Sequence, residues 1–143
     1  MNGVRVLSAE TLGRSFVSQE YLPPEADEYD LRNAQSAKPA DFWRRLHADE
    51  IETLVKNGNR CDDWDKMRVA DPFNASLIKN SEFYGLVRIG RLERVILEHH
   101  APRWPAGISD SLVISCDIGD NCAIHNVRYL AYFILGDNVI LLN

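Results

Sequence analysis

Histidine is the side chain best suited to proton transfer near neutral pH, and three of the four histidines lie in the second half of the chain. His100 and His125 are the two candidates for catalysis. His100 stands at the base of a predicted loop, and His125 follows the apolar Ile124, which predicts a ring that points outward. The alternative interpretation, in which both rings only form hydrogen bonds at turns, is favoured because no coenzyme or acyl-carrier motif accompanies them.

Three arginines, Arg88, Arg91 and Arg94, recur at three-residue spacing. A guanidinium group can bind phosphate or carboxylate in a bidentate manner, so these residues are candidates for an anion site. Trp104 is a further candidate for ligand binding. The alternative is solvated surface charge, paired with three nearby acidic residues: Glu82, Glu93 and Glu98.

The cysteines predict packing rather than metal binding. Cys116 and Cys122 are six residues apart at positions expected to face a core, and no histidine lies at ligand spacing from them. The segment 61–65 (Cys-Asp-Asp-Trp-Asp) offers oxygen ligands but lacks the length and the glycine of a calcium loop. No phosphate-binding glycine loop or nucleophile elbow is present. We therefore predict no metal site and no cofactor.

Composition excludes several classes of protein. The 143 residues are 45% hydrophobic, with 16 basic and 21 acidic side chains, and the net charge of −5 argues against nucleic acid as a partner. The longest apolar run, residues 129–135, is far shorter than the roughly 20 residues of a membrane-spanning helix. No signal peptide opens the sequence, and an odd number of cysteines favours a reducing compartment. The sequence thus predicts a cytoplasmic protein without a membrane partner.

Three segments follow one another along the chain. Residues 1–40 are predicted to form an extended acidic arm, because Pro23 and Pro24 precede a run of carboxylates. Residues 41–76 are predicted to form a helical cap and a turn, with apolar residues from Phe42 to Val55 at helical spacing and Asn57-Gly58 as the stop.

A different period begins at residue 77. Branched or aromatic residues recur every six positions, a spacing that fits neither an amphipathic helix nor a half-buried strand. We expect the following side chains to point inward: Leu77, Phe83, Ile89, Val95, Leu112, Ile118, Ile124, Leu130 and Leu135. The recurrence is interrupted between Val95 and Leu112, so that residues 101–111, which include Trp104, are predicted to be extruded as a loop.

The six-residue recurrence resembles that of the hexapeptide-repeat proteins, whose chain winds as a left-handed parallel β-helix. The sequence is also similar to a large uncharacterised bacterial family, a domain of unknown function with such a β-helix, over about residues 20–143. The motifs that carry this resemblance are Asp62-Asp63-Trp64, Phe83-Tyr84-Gly85-Leu86-Val87-Arg88-Ile89-Gly90, Ser115-Cys116-Asp117-Ile118-Gly119-Asp120-Asn121, Ile124-His125-Asn126-Val127 and Gly136-Asp137-Asn138.

The resemblance implies a mainly β fold: a hexapeptide-repeat left-handed β-helix over residues 77–143, preceded by the helical cap. It also implies a distant relation to sugar-nucleotide acyltransferases and to the β-helical part of nucleotidyltransferases, but it brings no assigned reaction. Hexapeptide acyltransferases use a histidine as general base, which gives His100 and His125 a role to test. Members of the family are several times longer, so the chain is expected to be their N-terminal fragment.

Two functional interpretations remain open. In the first, the chain is a structural or binding segment of a larger protein that acts on sugar- or nucleotide-linked substrates. In the second, it contributes a histidine general base to an acyl-transfer site. The expected partners are the remainder of the full-length protein or a second copy, because Leu141 and Leu142 begin an incomplete repeat whose strand edge lacks a polar cap.

Overall fold

The computed structural model of the chain describes residues 3–13 and 28–143. These described residues form a mixed α/β structure with two α-helices and several small parallel and mixed sheets. The helices are α1 (Glu28–Ser36) and α2 (Ala48–Lys56). No helix in the described ranges has the length and apolarity needed to cross a bilayer.

Twelve of the strands form three sheets of four. The first sheet has the order β1 (Arg44–Arg45), β3 (Met67–Val69), β6 (Val87–Ile89), β11 (Asp117–Ile118). The second has the order β13 (Leu130–Ala131), β10 (Leu112–Ile114), β5 (Glu82–Tyr84), β2 (Arg60–Cys61). The third has the order β14 (Ile140–Leu142), β12 (Ala123–His125), β9 (Gly107–Ser109), β4 (Ile78–Lys79).

Within these sheets every pairing is parallel except β1 with β3, which is antiparallel. A separate antiparallel hairpin is formed by β7 (Ile96–Glu98) and β8 (Arg103–Pro105). The three sheets share one core, to which each contributes alternate side chains. Its members include Val69, Ile89, Ile118, Phe83, Val113, Ile78, Ile108 and Ile124, all buried.

Helix α2 begins where the chain supplies hydrogen-bond acceptors for its first turn. The Glu50 carboxylate accepts a hydrogen bond from the His47 backbone N–H at 2.8 Å and two from the Arg44 guanidinium, each at 2.9 Å. The apolar Leu54 is fully buried and anchors the helix to the core. The helix ends at Lys56, with Asn57 as its C-cap, because Gly58 adopts φ +82°, which favours glycine.

The predicted fold class is wrong. Parallel partners in the second sheet are separated by unequal lengths of chain: Cys61 pairs with Phe83, Phe83 with Val113, and Val113 with Leu130. The structure is instead mixed α/β, with helices and antiparallel pairs among its parallel strands. Strand pairing follows backbone hydrogen bonds and burial, and connections of unequal length are tolerated.

The predicted segments also differ from the structure. Residues 28–36 of the predicted extended arm form α1, which tertiary contacts stabilise: the Tyr29 hydroxyl donates to the Lys66 carbonyl at 2.6 Å. The part of that arm at residues 14–27 lies outside the described residues. The predicted cap at 41–76 is α-helical only at α2, and it also contains short 3-10 turns and supplies β1, β2 and β3 to the first two sheets.

The expected core positions are confirmed in part. Five of the predicted inward residues are buried: Phe83, Ile89, Ile118, Ile124 and Leu130. Val95 is 38% exposed and Leu112 is only half-buried, since Val113 faces the core in its place. The predicted loop at 101–111 is displaced: the projecting element is the β7–β8 hairpin, whereas Gly107–Ser109 is a strand of the third sheet.

Candidate ligand site on the outer face of the third sheet

A row of three polar side chains crosses the outer face of the third sheet. Ile78, Ile108 and Ile124 are paired across the sheet and are buried. Because successive side chains of a strand point to opposite faces, the residues that follow them point outward. These are Lys79, Ser109 and His125, which pair in the same register, so neighbouring strands place them about 4.8 Å apart along the row.

The β7–β8 hairpin covers this row. The centroid of the Trp104 ring is 6.4 Å from that of His125, and the planes are tilted by 32°. The hairpin returns to the sheet through Gly107, whose φ is +137°. A Cβ atom at this position would lie 2.3 Å from the Leu77 carbonyl oxygen, so glycine is required for the close approach.

Both nitrogen atoms of the His125 ring have partners. The Nε2 atom lies 2.8 Å from the Pro105 carbonyl oxygen, and Nδ1 lies 2.7 Å from Ser109 Oγ. A carbonyl oxygen can only accept, so Nε2 carries the proton. In the neutral ring Nδ1 is then an acceptor, and the Ser109 hydroxyl donates to it. This tautomer is assigned from the chemistry of the partners.

The side chains of the row open onto a pocket of about 450 Å³. Its lining consists of Leu77, Lys79, Arg94, Trp104, Pro105, Ala106, Ser109 and His125. In the part of the chain that the structure describes, neither Lys79 nor Arg94 forms an ion pair. The pocket therefore combines two cationic side chains, a hydroxyl group, an imidazole and an aromatic ring.

A second pocket, of about 720 Å³, lies on the other side of Trp104. It is lined by both apolar and polar side chains: Ile96, Leu97, Glu98, His99, Pro102, Trp104, Asn138, Ile140 and Leu142. The apolar members of this lining offer a contact surface for an uncharged part of a ligand.

Three of the residues singled out in the sequence meet at this site: His125, Arg94 and Trp104. His100 does not. It lies in the turn of the hairpin with φ +58°, is exposed, and its ring contacts that of His99 at a centroid distance of 4.1 Å. Arg91 is exposed on a corner, where its backbone N–H donates to Asp120 at 2.9 Å.

Arg88 is buried and takes part in a different structure. Its guanidinium donates to both carboxylate oxygens of Asp117, at 2.8 and 2.7 Å, and it lies 4.9 Å from the centre of the Trp43 ring. Arg32 of α1 donates to the same carboxylate at 2.8 Å. This buried cluster attaches α1 to the first sheet, and Arg88 is not available to a ligand at the surface.

The expected pairing of the arginines with the nearby glutamates is wrong. Glu82 lies 3.8 Å from Arg60, and Glu98 lies 3.0 Å from Arg103. Glu93 accepts a hydrogen bond from the Asn121 side chain at 3.0 Å. Each of these acids therefore has a partner other than Arg88, Arg91 or Arg94.

Lys79 and Ser109 are site residues that the sequence pattern does not single out. Each follows a buried isoleucine, as His125 does, and this shared position is the signal that could have found them. The interruption of the six-residue recurrence before residue 112 concealed it, because Ser109 was assigned to the predicted loop.

The cysteines belong to the core. Burial raises the pKa of the Cys116 and Cys122 thiols, and this effect outweighs the hydrogen bonds from neighbouring backbone groups. None of the three cysteines forms a disulfide bond. Among the described residues, no group of three or more histidine, cysteine or acidic side chains is arranged to hold a metal ion.

Residues 43–143 match a protein family described as a domain of unknown function, DUF4954. The chain belongs to this family. It is also 50% identical over 138 residues to an uncharacterized protein of Treponema pallidum (strain Nichols), an alignment that covers 96% of the chain and 19% of that relative. The chain thus spans about a fifth of the length of the curated relative that it matches. No solved structure matches it.

The comparisons confirm the predicted resemblance at the level of a family of unknown function. They do not support the hexapeptide repeat, and they identify no substrate or reaction. The geometry and chemistry of the site are therefore the basis for a proposed function.

Proposed function

We propose that this DUF4954 segment is a ligand-binding part of a larger protein, and that its pocket beneath the hairpin binds a sugar- or nucleotide-linked anion. The observation that carries the proposal is the side-by-side arrangement of Lys79, Ser109 and His125 beneath Trp104, with Arg94 at the same pocket.

The chemistry of the lining supports this class of ligand. Phosphate and carboxylate groups form charge-assisted hydrogen bonds with lysine and arginine, and both cations of the pocket lack an acidic partner in the described structure. An aromatic ring offers a stacking surface to a base or to the apolar face of a sugar. An anion that carries a ring therefore satisfies both features at once.

The greater length of the matched relative and the edge strands of the second and third sheets support a further proposal, that this segment has a protein partner. The remainder of the full-length protein would pair with the strands β13 and β14, which end the second and third sheets. A second copy is the other candidate partner. Three cysteines without a disulfide bond support a reducing, cytoplasmic location.

Calorimetric titration with uridine monophosphate tests the proposed site, because this probe combines a planar base with a phosphate. We expect Lys79→Gln and Arg94→Gln each to weaken binding about 10- to 100-fold, the loss of one charge-assisted hydrogen bond of roughly 1.5–3 kcal/mol. The matched control is Arg91→Gln, which removes an exposed arginine outside the pocket.

Equal affinity in the chain and in both pocket variants would refute the proposed site, as would the absence of binding to the unmodified chain. Uridine and inorganic phosphate, titrated separately, show whether the ring and the anion both contribute. We expect each to bind more weakly than uridine monophosphate.

A further inference from the structure

We infer that Ser109 is a nucleophile activated by His125, so that the pocket can accept an acyl group from an activated ester. The inference relies on the proposed function only for the location of the site, since it requires Ser109 to be accessible from the pocket.

The hydrogen bonds around His125 give it the role of a base. A serine hydroxyl becomes nucleophilic when a neighbouring base accepts its proton, and the base works best when a third group holds its orientation. Here Ser109 Oγ lies 2.7 Å from Nδ1, and the Pro105 carbonyl oxygen lies 2.8 Å from Nε2. The carbonyl fixes the tautomer in which Nδ1 has a free electron pair directed at the hydroxyl.

The backbone holds this geometry rigidly. Ser109 and His125 are register partners on adjacent parallel strands, and Ile108 and Ile124, the residues before them, are buried in the core. Pro105 is the last residue of β8 and is paired with Ile96 across the hairpin. Sites built on strands keep their side chains in place more precisely than sites on loops.

The surroundings suit the charge that develops during acyl transfer. Lys79 is the register partner of Ser109 on the opposite side from His125, and Arg94 lines the same pocket. A cation beside the reacting carbonyl stabilises the negative oxygen of a tetrahedral intermediate. Ser109 is half-buried and faces the pocket, so an ester can reach its hydroxyl group.

The proposed step balances in atoms and charge. Ser109 Oγ attacks the ester carbonyl carbon, and Nδ1 of His125 takes the hydroxyl proton. The bond between the carbonyl carbon and the leaving oxygen then breaks, and the imidazolium returns the proton to the departing alkoxide. The products are acyl-Ser109 and an alcohol, and a second alcohol or water can remove the acyl group by the same route in reverse.

The test uses p-nitrophenyl acetate, an activated ester, with release of p-nitrophenolate and the mass of the protein as measurements. We expect the mass to increase by one acetyl group, which peptide mapping locates on Ser109. Ser109→Ala should abolish this acetylation. His125→Gln should slow it roughly 100-fold or more, the usual contribution of a general base. His100→Gln is the matched control, since that exposed ring lies in the hairpin turn, and it should leave the rate unchanged.

Acetylation at other residues only, or a rate on Ser109 that His125→Gln does not change, would overturn the inference. If Ser109→Ala fails to fold, the peptide map of the unmodified chain still locates the acetyl group. Titration with uridine monophosphate separates the two proposals: normal binding without acetylation contradicts this inference alone, whereas acetylation without binding contradicts the proposed ligand alone.

Discussion

Single side chains determine how α1 is attached to the sheets. Asp117 is 2% exposed and receives hydrogen bonds from two guanidinium groups, those of Arg88 and Arg32. A buried charge is tolerated only when it is paired, because removal from water costs several kcal/mol per ion. The carboxylate of Asp117 is therefore the group on which the burial of Arg88 depends.

We predict that Asp117→Asn lowers the free energy of unfolding by about 3–5 kcal/mol, because it leaves the buried Arg88 guanidinium without a carboxylate. Chemical denaturation measures the loss. Asp137→Asn is the control: this exposed carboxylate accepts a hydrogen bond from the Asp120 backbone N–H at 2.7 Å, and an amide oxygen can replace it. A cost for Asp117→Asn no larger than for the control would show that the cluster is not a source of stability.

Among the secondary-structure elements, α2 depends most visibly on charge. Burial disfavours the charged form of Glu50, but hydrogen bonds from Arg44 and from the His47 backbone outweigh it and lower the pKa of the carboxyl below its ordinary value of 4.5. Since the folded state holds the proton less tightly than the unfolded state, the stabilisation is complete above that ordinary value. It is lost as the pH falls through the lowered pKa of the folded state.

We predict that Glu50→Gln costs roughly 1–3 kcal/mol of unfolding free energy at neutral pH. The difference from the unmodified chain should shrink as the pH falls below about 4.5, the ordinary value for this carboxyl. Glu52→Gln is the control, because its ion pair with Lys56 at 3.5 Å is largely exposed and should contribute at most about 0.5 kcal/mol. A difference that grows on acidification would contradict the assigned role of Glu50.

The stop of α2 and much of the core could be predicted from the sequence, because they depend on local chemistry: glycine after Asn57, and apolar residues such as Ile118 and Ile124. Helix α1 could not, since its contacts with Asp117 and Lys66 come from distant parts of the chain. The fold class could not either, because the helices and antiparallel pairs that accompany the parallel strands depend on contacts between distant segments.

The candidate site could likewise be predicted only where it depends on residue type. His125 and Trp104 were found from residue type, whereas the partnership of Ser109 with His125 depends on the register between β9 and β12. The register between parallel strands depends on the whole sheet and cannot be predicted from the sequence of either strand alone. The same limit explains why Arg88 was grouped with Arg94, although one is buried and the other lines a pocket.

In the whole molecule, the surface most suited to a partner is the final layer of strands, which consists of β13 and β14. The apolar side chains exposed there are Tyr129, Tyr132, Phe133, Ile134 and Leu142. Among the described residues, the strands β13 and β14 have a neighbouring strand on one side only, so the other side of each is a sheet edge that can accept a further strand. Such an edge pairs readily with another strand.

We predict that the 143-residue chain self-associates through this layer when no other segment covers it. Leu142→Lys, which places a charge on the edge strand β14, should shift the light-scattering mass toward that of a monomer. The control is Val55→Lys on α2, where an exposed apolar residue lies away from the strand edges. A monomeric unmodified chain would exclude self-association and leave the remainder of the full-length protein as the partner.

Tryptophan indole signals in nuclear magnetic resonance spectra show whether the pocket beneath the hairpin binds a ring-bearing anion. The chain has three tryptophans, and only Trp104 lines the pocket, so Trp43 and Trp64 serve as internal controls. On addition of uridine monophosphate we expect the Trp104 indole N–H signal and the Ser109 and His125 backbone signals to shift together, while those of Trp43 and Trp64 stay in place. A saturating shift elsewhere, with the Trp104 signal unmoved, would contradict the proposed binding site.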